Sequence, residues 1–374
     1  MEKIRLGIIG VGQIGKSHLE GYTHIPGAEV VAACDINTPE LTRVAEKYHI
    51  PHTYFHFEDL LKRDDLDAVD VCLHNNLHMP MTAAVLRSGK HAYCEKPMAG
   101  SYRDAVTMLE TARQTGKKLS IQLATLFGME TKAAKRLIDA GKLGPIYHAR
   151  STGFRRRGRP FVDGYGREQF VQKAVAAGGA LYDMGVYHIS QILYLLGMPA
   201  IERVSGKIYQ QMAMDARRQA FSGYNVEELG LGFVRCAGGL TVDIIEAWAI
   251  NLNPFEGSSI VGAQGGIRLN PFSFHTTVED IDMDASFNLD AANGRWHDLN
   301  DNTDAYDSPQ HHWIAALQGR VPLLPTAELA LQTMLVSEGI YLSDRLGHEV
   351  TADEILAASQ SLAIEPHVDE PVTV

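Results

Sequence analysis

The stretch HAYCEKPMAG, residues 91–100, sets a carboxylate, an ammonium and a proline side by side as Glu95, Lys96 and Pro97. An ammonium fixed at the end of a strand can stabilise an alkoxide as it forms, which is what a hydride leaving a hydroxyl-bearing carbon requires. A second group of reactive side chains lies in GGALYDMGVYHISQIL, residues 178–193, where Asp183 is followed at i+4 by Tyr187 and at i+5 by His188. On a regular helix Asp183, Tyr187, Ser190 and Gln191 share one face, Leu181, Ile189, Ile192, Leu193 and Leu196 line the other, and His188 falls on the border. Register therefore favours Tyr187 as proton acceptor. Chemistry favours His188, whose ordinary pKa of about 6.5 suits a general base at neutral pH. A one-residue bulge near Gly185 would present both. FRRRGRP, residues 154–160, brings four arginines, either as a solvated loop or as a lid holding substrate hydroxyls or an anionic group.

A third pattern is GIIGVGQIG, in which Gly10, Gly12 and Gly15 have GxGxxG spacing around Gln13 and Ile14. It follows a strand at the chain start and opens a helix. Asp35 closes the next strand twenty residues after Gly15. That combination is a dinucleotide fingerprint: glycines admit a pyrophosphate to a helix N-terminus, and the acid accepts hydrogen bonds from ribose hydroxyls. A carboxylate at Asp35 would repel a 2′-phosphate, and DINTPEL offers no arginine close by, so NAD is favoured over NADP. The basic residue weighed against this is Arg43, a turn or two into the following helix.

These residues need a scaffold, and the pattern around them supplies one. Short apolar strands alternate with helices of ordinary length through residues 1–127, which predicts a parallel sheet covered on both faces. The helix from residue 38 has Thr38 as expected N-cap and Pro39 as first helical residue. Ligands of such sheets sit outside the carboxyl ends of the strands. HNNLH, with Asn76 and His78, and CEKP, with Glu95 and Lys96, both fall there. From residue 128 the strands lengthen and alternate in polarity, which predicts a mostly antiparallel open sheet in an α+β domain over residues 128–360. Residues 361–374 are acidic and interrupted by proline, and read as a weakly packed tail. No internal repeat is evident.

Composition bounds the role. The chain has 374 residues, 45% apolar and 21% charged, with a formal net charge of −11. That balance argues against nucleic acid and anionic membrane as partners. The four cysteines form no CxxC pair and read as buried apolar residues in a reducing compartment. The chain opens on a strand and has no apolar run long enough to span a bilayer, so a cytoplasmic protein is expected. The sixteen histidines show no metal-ligand spacing; His49, His52 and His56 read as loop residues, and no metal site is expected.

The order GxGxxG, Asp35, HNNLH, CEKP resembles the glucose–fructose oxidoreductase / inositol dehydrogenase / MocA (Gfo/Idh/MocA) family. The likeness continues in RRRGRP, in GGALYDMGVYHISQILYLLG, in GAQGGIRLNP and in SEGIYLSDRLGHEV, and so covers nearly the whole chain. It implies a Rossmann domain followed by a domain with a large open sheet, and an NAD(P)-dependent reaction on a sugar or cyclitol. It also implies that Lys96 contacts substrate and nicotinamide, that the Lys96–Pro97 bond is a candidate for cis, and that the open sheet packs against another subunit in a dimer, tetramer or larger homo-oligomer. Arg157 and Pro160 match the family's usual RRRGIP, Arg159 replaces an apolar residue, and Lys173 matches a recurrent lysine. There are departures. His74 and Asn75 stand where the family has Thr-Pro, and Ala124 and Leu126 stand where it often has Asn and Arg.

Together these features predict an NAD-dependent dehydrogenase acting on a secondary hydroxyl of a sugar, glycoside or cyclitol. Lys96, Asp183 and Tyr187 or His188 would carry the chemistry, with Lys96, Arg157, Lys173, Asp183 and His188 at the substrate. Gly10, Gly12, Gln13, Ile14, Gly15, Asp35, Asn76, His78, Glu95 and Lys96 would hold the cofactor. The alternatives are a glycoside-cleaving enzyme that oxidises transiently and recycles its NAD, and a non-catalytic NAD(H)-sensing protein.

Overall fold

A computed structural model describes residues 3–253 and 256–366. The first part alternates β1 (Ile4–Ile9), α1 (Gln13–Thr23), β2 (Ala28–Cys34), α2 (Thr38–Tyr48), β3 (His52–Tyr54), α3 (Phe57–Leu61), β4 (Ala68–Val71), α4 (Asn75–Arg87), β5 (His91–Cys94), α5 (Tyr102–Thr115) and β6 (Leu119–Ile121). The six strands form one parallel sheet in the order β3-β2-β1-β4-β5-β6. Its central strands are buried on both faces, as their unbroken apolar runs require. Register does the positioning. Ile9 pairs with Cys34 and with Val71, and Val71 pairs with Cys94. The residues that follow, Gly10, Asp35, Cys72 and Glu95, therefore leave the sheet along one edge. The cap of α2 is Asn37 rather than Thr38: its side chain accepts from the Glu40 N–H at 3.1 Å, one residue before the expected position.

The second part comprises α6 (Met129–Asp139), β7 (Ile146–Phe154), α7 (Lys173–Ala176), α8 (Val186–Leu195), β8 (Ile201–Tyr209), α9 (Ala216–Ser222), β9 (Leu229–Cys236), β10 (Thr241–Ala247), β11 (Ser259–Gly262), β12 (Gly266–Leu269), β13 (Phe272–Val278), β14 (Ile281–Ser286), α10 (Leu289–Leu299), α11 (Pro309–Leu317), α12 (Thr326–Leu346), β15 (Val350–Thr351) and α13 (Ala352–Ala358). Nine strands form its sheet in the order β14-β13-β12-β11-β7-β10-β9-β8-β15, antiparallel except where β10 pairs with β7. Ala149 and Ser151 of β7 point into the core, while His148 and Arg150 pair with Asp243 on the half-exposed outer face. That is the alternation of a sheet with one covered face.

The two parts interlock. Trp313 and Ile314 of α11 pack beneath the first sheet with Leu6, Tyr22 and Tyr93. Glu338 of α12 accepts the N–H of Tyr102 at the start of α5, at 2.6 Å. The start of the expected tail is also held: Leu362 N–H bonds Asp104 at 2.9 Å and Ile364 N–H bonds the Asn76 carbonyl at 3.1 Å. These bonds tether the backbone, while Leu362 and Ile364 stay about half exposed, and residues 367–374 of that range lie outside the described residues. Among the described residues no helix is long and apolar enough to cross a membrane.

Candidate active site

The glycine turn between β1 and α1 is shaped by close approach. Gly10 has φ 93°, and a Cβ there would overlap the Cys72 carbonyl; a Cβ on Gly15 would overlap the carbonyl of Gly10. Gly12, the N-cap of α1, has nothing within 4 Å of its Cβ position, and no side chain caps the helix. Gln13 and Ile14 are exposed beside it. An open glycine surface over uncapped helix N–H groups fits the pyrophosphate of a dinucleotide. Asp35 is fixed at the end of β2. Its Oδ2 accepts the Val11 N–H and its Oδ1 the Asn37 N–H, each at 2.8 Å. Arg43 does not reach it, because its guanidinium clasps Glu40 at 2.7 and 2.9 Å.

The start of α4, beyond β4, and the loop beyond β5 carry the other expected cofactor residues. Asn76 is 4% exposed; its Nδ2 bonds the Ala174 carbonyl at 3.0 Å and its Oδ1 has no partner. The sequence put His78 among the cofactor contacts, but its ring is fully buried, with Nδ1 2.7 Å from the Pro97 carbonyl and Nε2 3.1 Å from that of Leu73. It braces the two loops from behind. Glu95 also turns inward, to His18.

Lys96, after a cis Lys96–Pro97 bond, points the other way. Its Nζ lies 3.0 Å from Asp183 Oδ1, 3.1 Å from the Asp183 carbonyl and 4.6 Å above the Tyr187 ring. Burial works against the Lys96 charge, but Asp183 and its neighbours outweigh burial and hold the ammonium above its ordinary pKa. Burial likewise opposes charge on Asp183, yet Lys96 and the Trp248 indole N–H, 2.9 Å from Oδ2, keep the carboxylate below its usual range. Arg155 approaches the same oxygen at 3.9 Å.

The backbone that presents Asp183 is not a regular helix. Leu181–Gly185 form a π turn that runs into α8, the extra residue that the spacing at Gly185 suggested. Its Asp183 carbonyl accepts from Lys96. The start of the turn is anchored by buried Glu227, which accepts the N–H groups of Gly179 and Leu181 at 2.9 and 3.0 Å; a Cβ on Gly179 would overlap the Glu227 carbonyl.

The same turn directs His188 onto the second sheet. Its Nδ1 lies 3.0 Å from Oε2 of Glu246, whose side chain is fully buried. Gly153, opposite Glu246 in the β7–β10 register, leaves room for the pair, since a Cβ there would overlap the imidazole. Burial lowers the His188 pKa, but the Glu246 carboxylate more than offsets it and the balance is upward. Burial raises Glu246 as well. The imidazole therefore holds Nδ1 on the carboxylate and leaves Nε2 for chemistry.

Lys96, Asp183 and Tyr187 thus converge, with His188 next to Tyr187 on α8. Two expected substrate residues stand apart. Arg157 is exposed and lines a surface hollow of about 410 Å³ with Val162, Asp163, Asp215 and Arg218. Lys173 is exposed at the start of α7, which is docked on α4 by Asn75 and Asn76. Arg159 lies in a loop but is not solvated: it is fully buried between Asp163 and Glu228, each at 2.9 Å. Sequence reasoning missed Trp248, Glu246 and His18, and held Arg155 only as one of four arginines in FRRRGRP. Only Glu246 left a trace, a carboxylate at an inward position of β10 in line with Val242 and Ile244.

Comparison with known proteins agrees with the fold. The model of the GFO_IDH_MocA oxidoreductase family, with an NAD-binding Rossmann fold, matches residues 4–123, and that of the GFO/IDH/MocA C-terminal domain matches residues 131–268. D-glucoside 3-dehydrogenase of Escherichia coli K12 is 30% identical over 281 residues, 73% of this chain and 79% of that protein. A glycosyl hydrolase family 109 protein of Shewanella baltica is 32% identical over 163 residues, 41% of this chain and only 35% of that protein. The crystal structure of an aldose-aldose oxidoreductase from Caulobacter crescentus, complexed with glycerol, superposes with a TM-score of 0.74 at 22% identity, covering 94% of this chain and 100% of that one.

Proposed function

This chain belongs to the Gfo/Idh/MocA family of NAD-binding oxidoreductases, and from that premise we propose that it oxidises a secondary hydroxyl of a sugar, glycoside or cyclitol. The observation that carries the reading is the Lys96 ammonium held 3.0 Å from Asp183 at the carboxyl end of the Rossmann sheet. When bound, NAD supplies the hydride acceptor at its nicotinamide ring. The glycine turn and Asp35 would hold the dinucleotide, and Asn76 would face it from the start of α4. Lys96 donates a hydrogen bond to the substrate oxygen as negative charge grows there. Asp183 keeps that ammonium charged and in place, and orients a neighbouring hydroxyl. His188, backed by Glu246, takes the hydroxyl proton at Nε2, while Tyr187 packs under Lys96 and lines the sugar. Arg157 and Lys173 are proposed to reach the outer part of a glycoside.

The likeness to a D-glucoside 3-dehydrogenase makes position 3 of a D-glucoside the first hydroxyl to test. A second reading, transient oxidation followed by glycosidic cleavage with the cofactor recycled in place, is supported by the partial match to a glycosyl hydrolase family 109 protein. One experiment separates them. The purified protein is incubated with NAD and a panel of glucosides, free sugars and cyclitols, and NADH, keto product and released aglycone are measured. NADH formed in step with a keto-glycoside supports the dehydrogenase. Aglycone release without net NADH supports the second reading. If no sugar, glycoside or cyclitol reacts, both fail.

A further inference from the structure

Directly behind Lys96 lies a buried charged set that the proposed chemistry does not use. His18, on α1, is 2% exposed. Its Nδ1 is 2.8 Å from Asp70 Oδ2 and its Nε2 is 2.8 Å from Glu95 Oε1. Two hydrogen bonds joining one imidazole to two carboxyl groups need two protons. Wherever those protons rest, two acids and one base with two protons carry one net negative charge. Among the described residues, Lys96 apart, the polar groups bonded to or stacked on the set are neutral: the Tyr22 hydroxyl donates to Asp70 Oδ2 at 3.0 Å, Cys72 Sγ lies 3.4 Å from Asp70 Oδ1, and the Tyr93 ring stacks 5.8 Å from His18. Burial pushes Tyr22, Cys72 and Tyr93 upward and keeps them protonated. His18, Asp70 and Cys72 also converge closely enough to suggest a metal site, but the imidazole is already bridged and the thiol is held as SH.

The set reaches the catalytic strand through Glu95, whose Oε2 accepts the main-chain N–H of Lys96 at 2.9 Å. The Lys96 ammonium does not cancel it, being paired with Asp183. We propose that Asp70, His18 and Glu95 form a fixed negative element that favours the oxidised, cationic nicotinamide over the reduced, neutral one and so lowers the reduction potential of the bound cofactor. The inference rests on the reading that the nicotinamide lies beside Lys96. NAD+ and NADH share every other group, so a charge near the ring acts on the ratio of their affinities, whereas a general loss of structure weakens both alike.

Asp70→Asn tests it. The amide oxygen can keep the acceptor roles toward His18 and Tyr22 and one negative charge is removed. Dissociation constants for NAD+ and NADH are measured by titration at about pH 6. The ratio Kd(NAD+)/Kd(NADH) should rise about three- to thirtyfold for a charge several ångströms away in a partly buried site. Lys96→Met, which removes a positive charge from the same neighbourhood, should move the ratio the opposite way. If Lys96→Met shifts the ratio and Asp70→Asn leaves it within about twofold of wild type, the inference fails alone. If neither variant shifts it, the placement of the nicotinamide beside Lys96 fails and takes the inference with it. Should Asp70→Asn not fold, Glu95→Gln is expected to give the same rise, and an unchanged ratio there overturns the inference equally.

Discussion

The imidazole of His188 and the carboxylate of Glu246 meet at 3.0 Å, although 58 residues separate them in the chain. The contact fixes which ring nitrogen the carboxylate holds and raises the affinity of that ring for a proton. A general base must be unprotonated to act, so the kcat/KM of the wild-type enzyme should climb as pH rises through the elevated His188 pKa. Glu246→Gln removes the raising charge. Burial and the nearby Arg155 then both press the pKa down, and the climbing limb of the profile moves to lower pH. Tyr187→Phe should leave that limb in place. A pH profile of kcat/KM for the three proteins checks this, and a limb that follows Tyr187 rather than Glu246 would reverse the assignment of the base.

Lys96→Met should cost about 10² to 10³ in kcat/KM, the effect of losing one charge-assisted hydrogen bond at a developing alkoxide. NAD should still bind, because the glycine turn and Asp35 are untouched. Steady-state rates alongside a cofactor titration separate the two effects; a variant keeping a third of wild-type activity would remove Lys96 from the chemistry.

The cofactor preference follows from Asp35. A 2′-phosphate would meet its carboxylate at close range, and Arg43 is committed to Glu40. NAD should exceed NADP by at least about tenfold in kcat/KM, with the margin narrowing in Asp35→Ser. Equal efficiencies in the wild-type enzyme would contradict this role.

Arg159 should matter for stability. Its side chain is 1% exposed, and so is that of Glu228, with Asp163 at 6%. Arg159→Leu strands two buried carboxylates and should cost about 3–5 kcal/mol, read as a lower urea midpoint. Arg157→Ala, on the exposed side of the same segment, should stay within about 0.5 kcal/mol.

What could be read from the chain was what is local in it. The glycine turn, Asp35, Lys96 and Asp183 each sit in a short pattern whose spacing dictates geometry, and even the irregular turn at Gly185 was implied by the mismatch between Asp183 and His188. Partners brought together by sheet register were not legible. Nothing near Glu95 announces His18 on α1, and nothing near Asp183 announces Trp248. Arg159 reads as a surface residue until Glu228 and Asp163 are seen around it. His78 has the right address but faces inward, because periodicity places a residue on a helix without saying which loops that face must tie.

The π turn at Leu181–Gly185 makes the active site depend on a count. Each residue in a regular helix advances its neighbours by about 100°. One residue fewer between Gly179 and His188 would restore ordinary winding, with every side chain chemically unchanged, yet Asp183 could no longer meet Lys96 while His188 meets Glu246. A single-residue deletion there would abolish the chemistry even with Asp183 and His188 retained. Length, beside the identity of Gly179, Asp183 and His188, is what this segment has to keep.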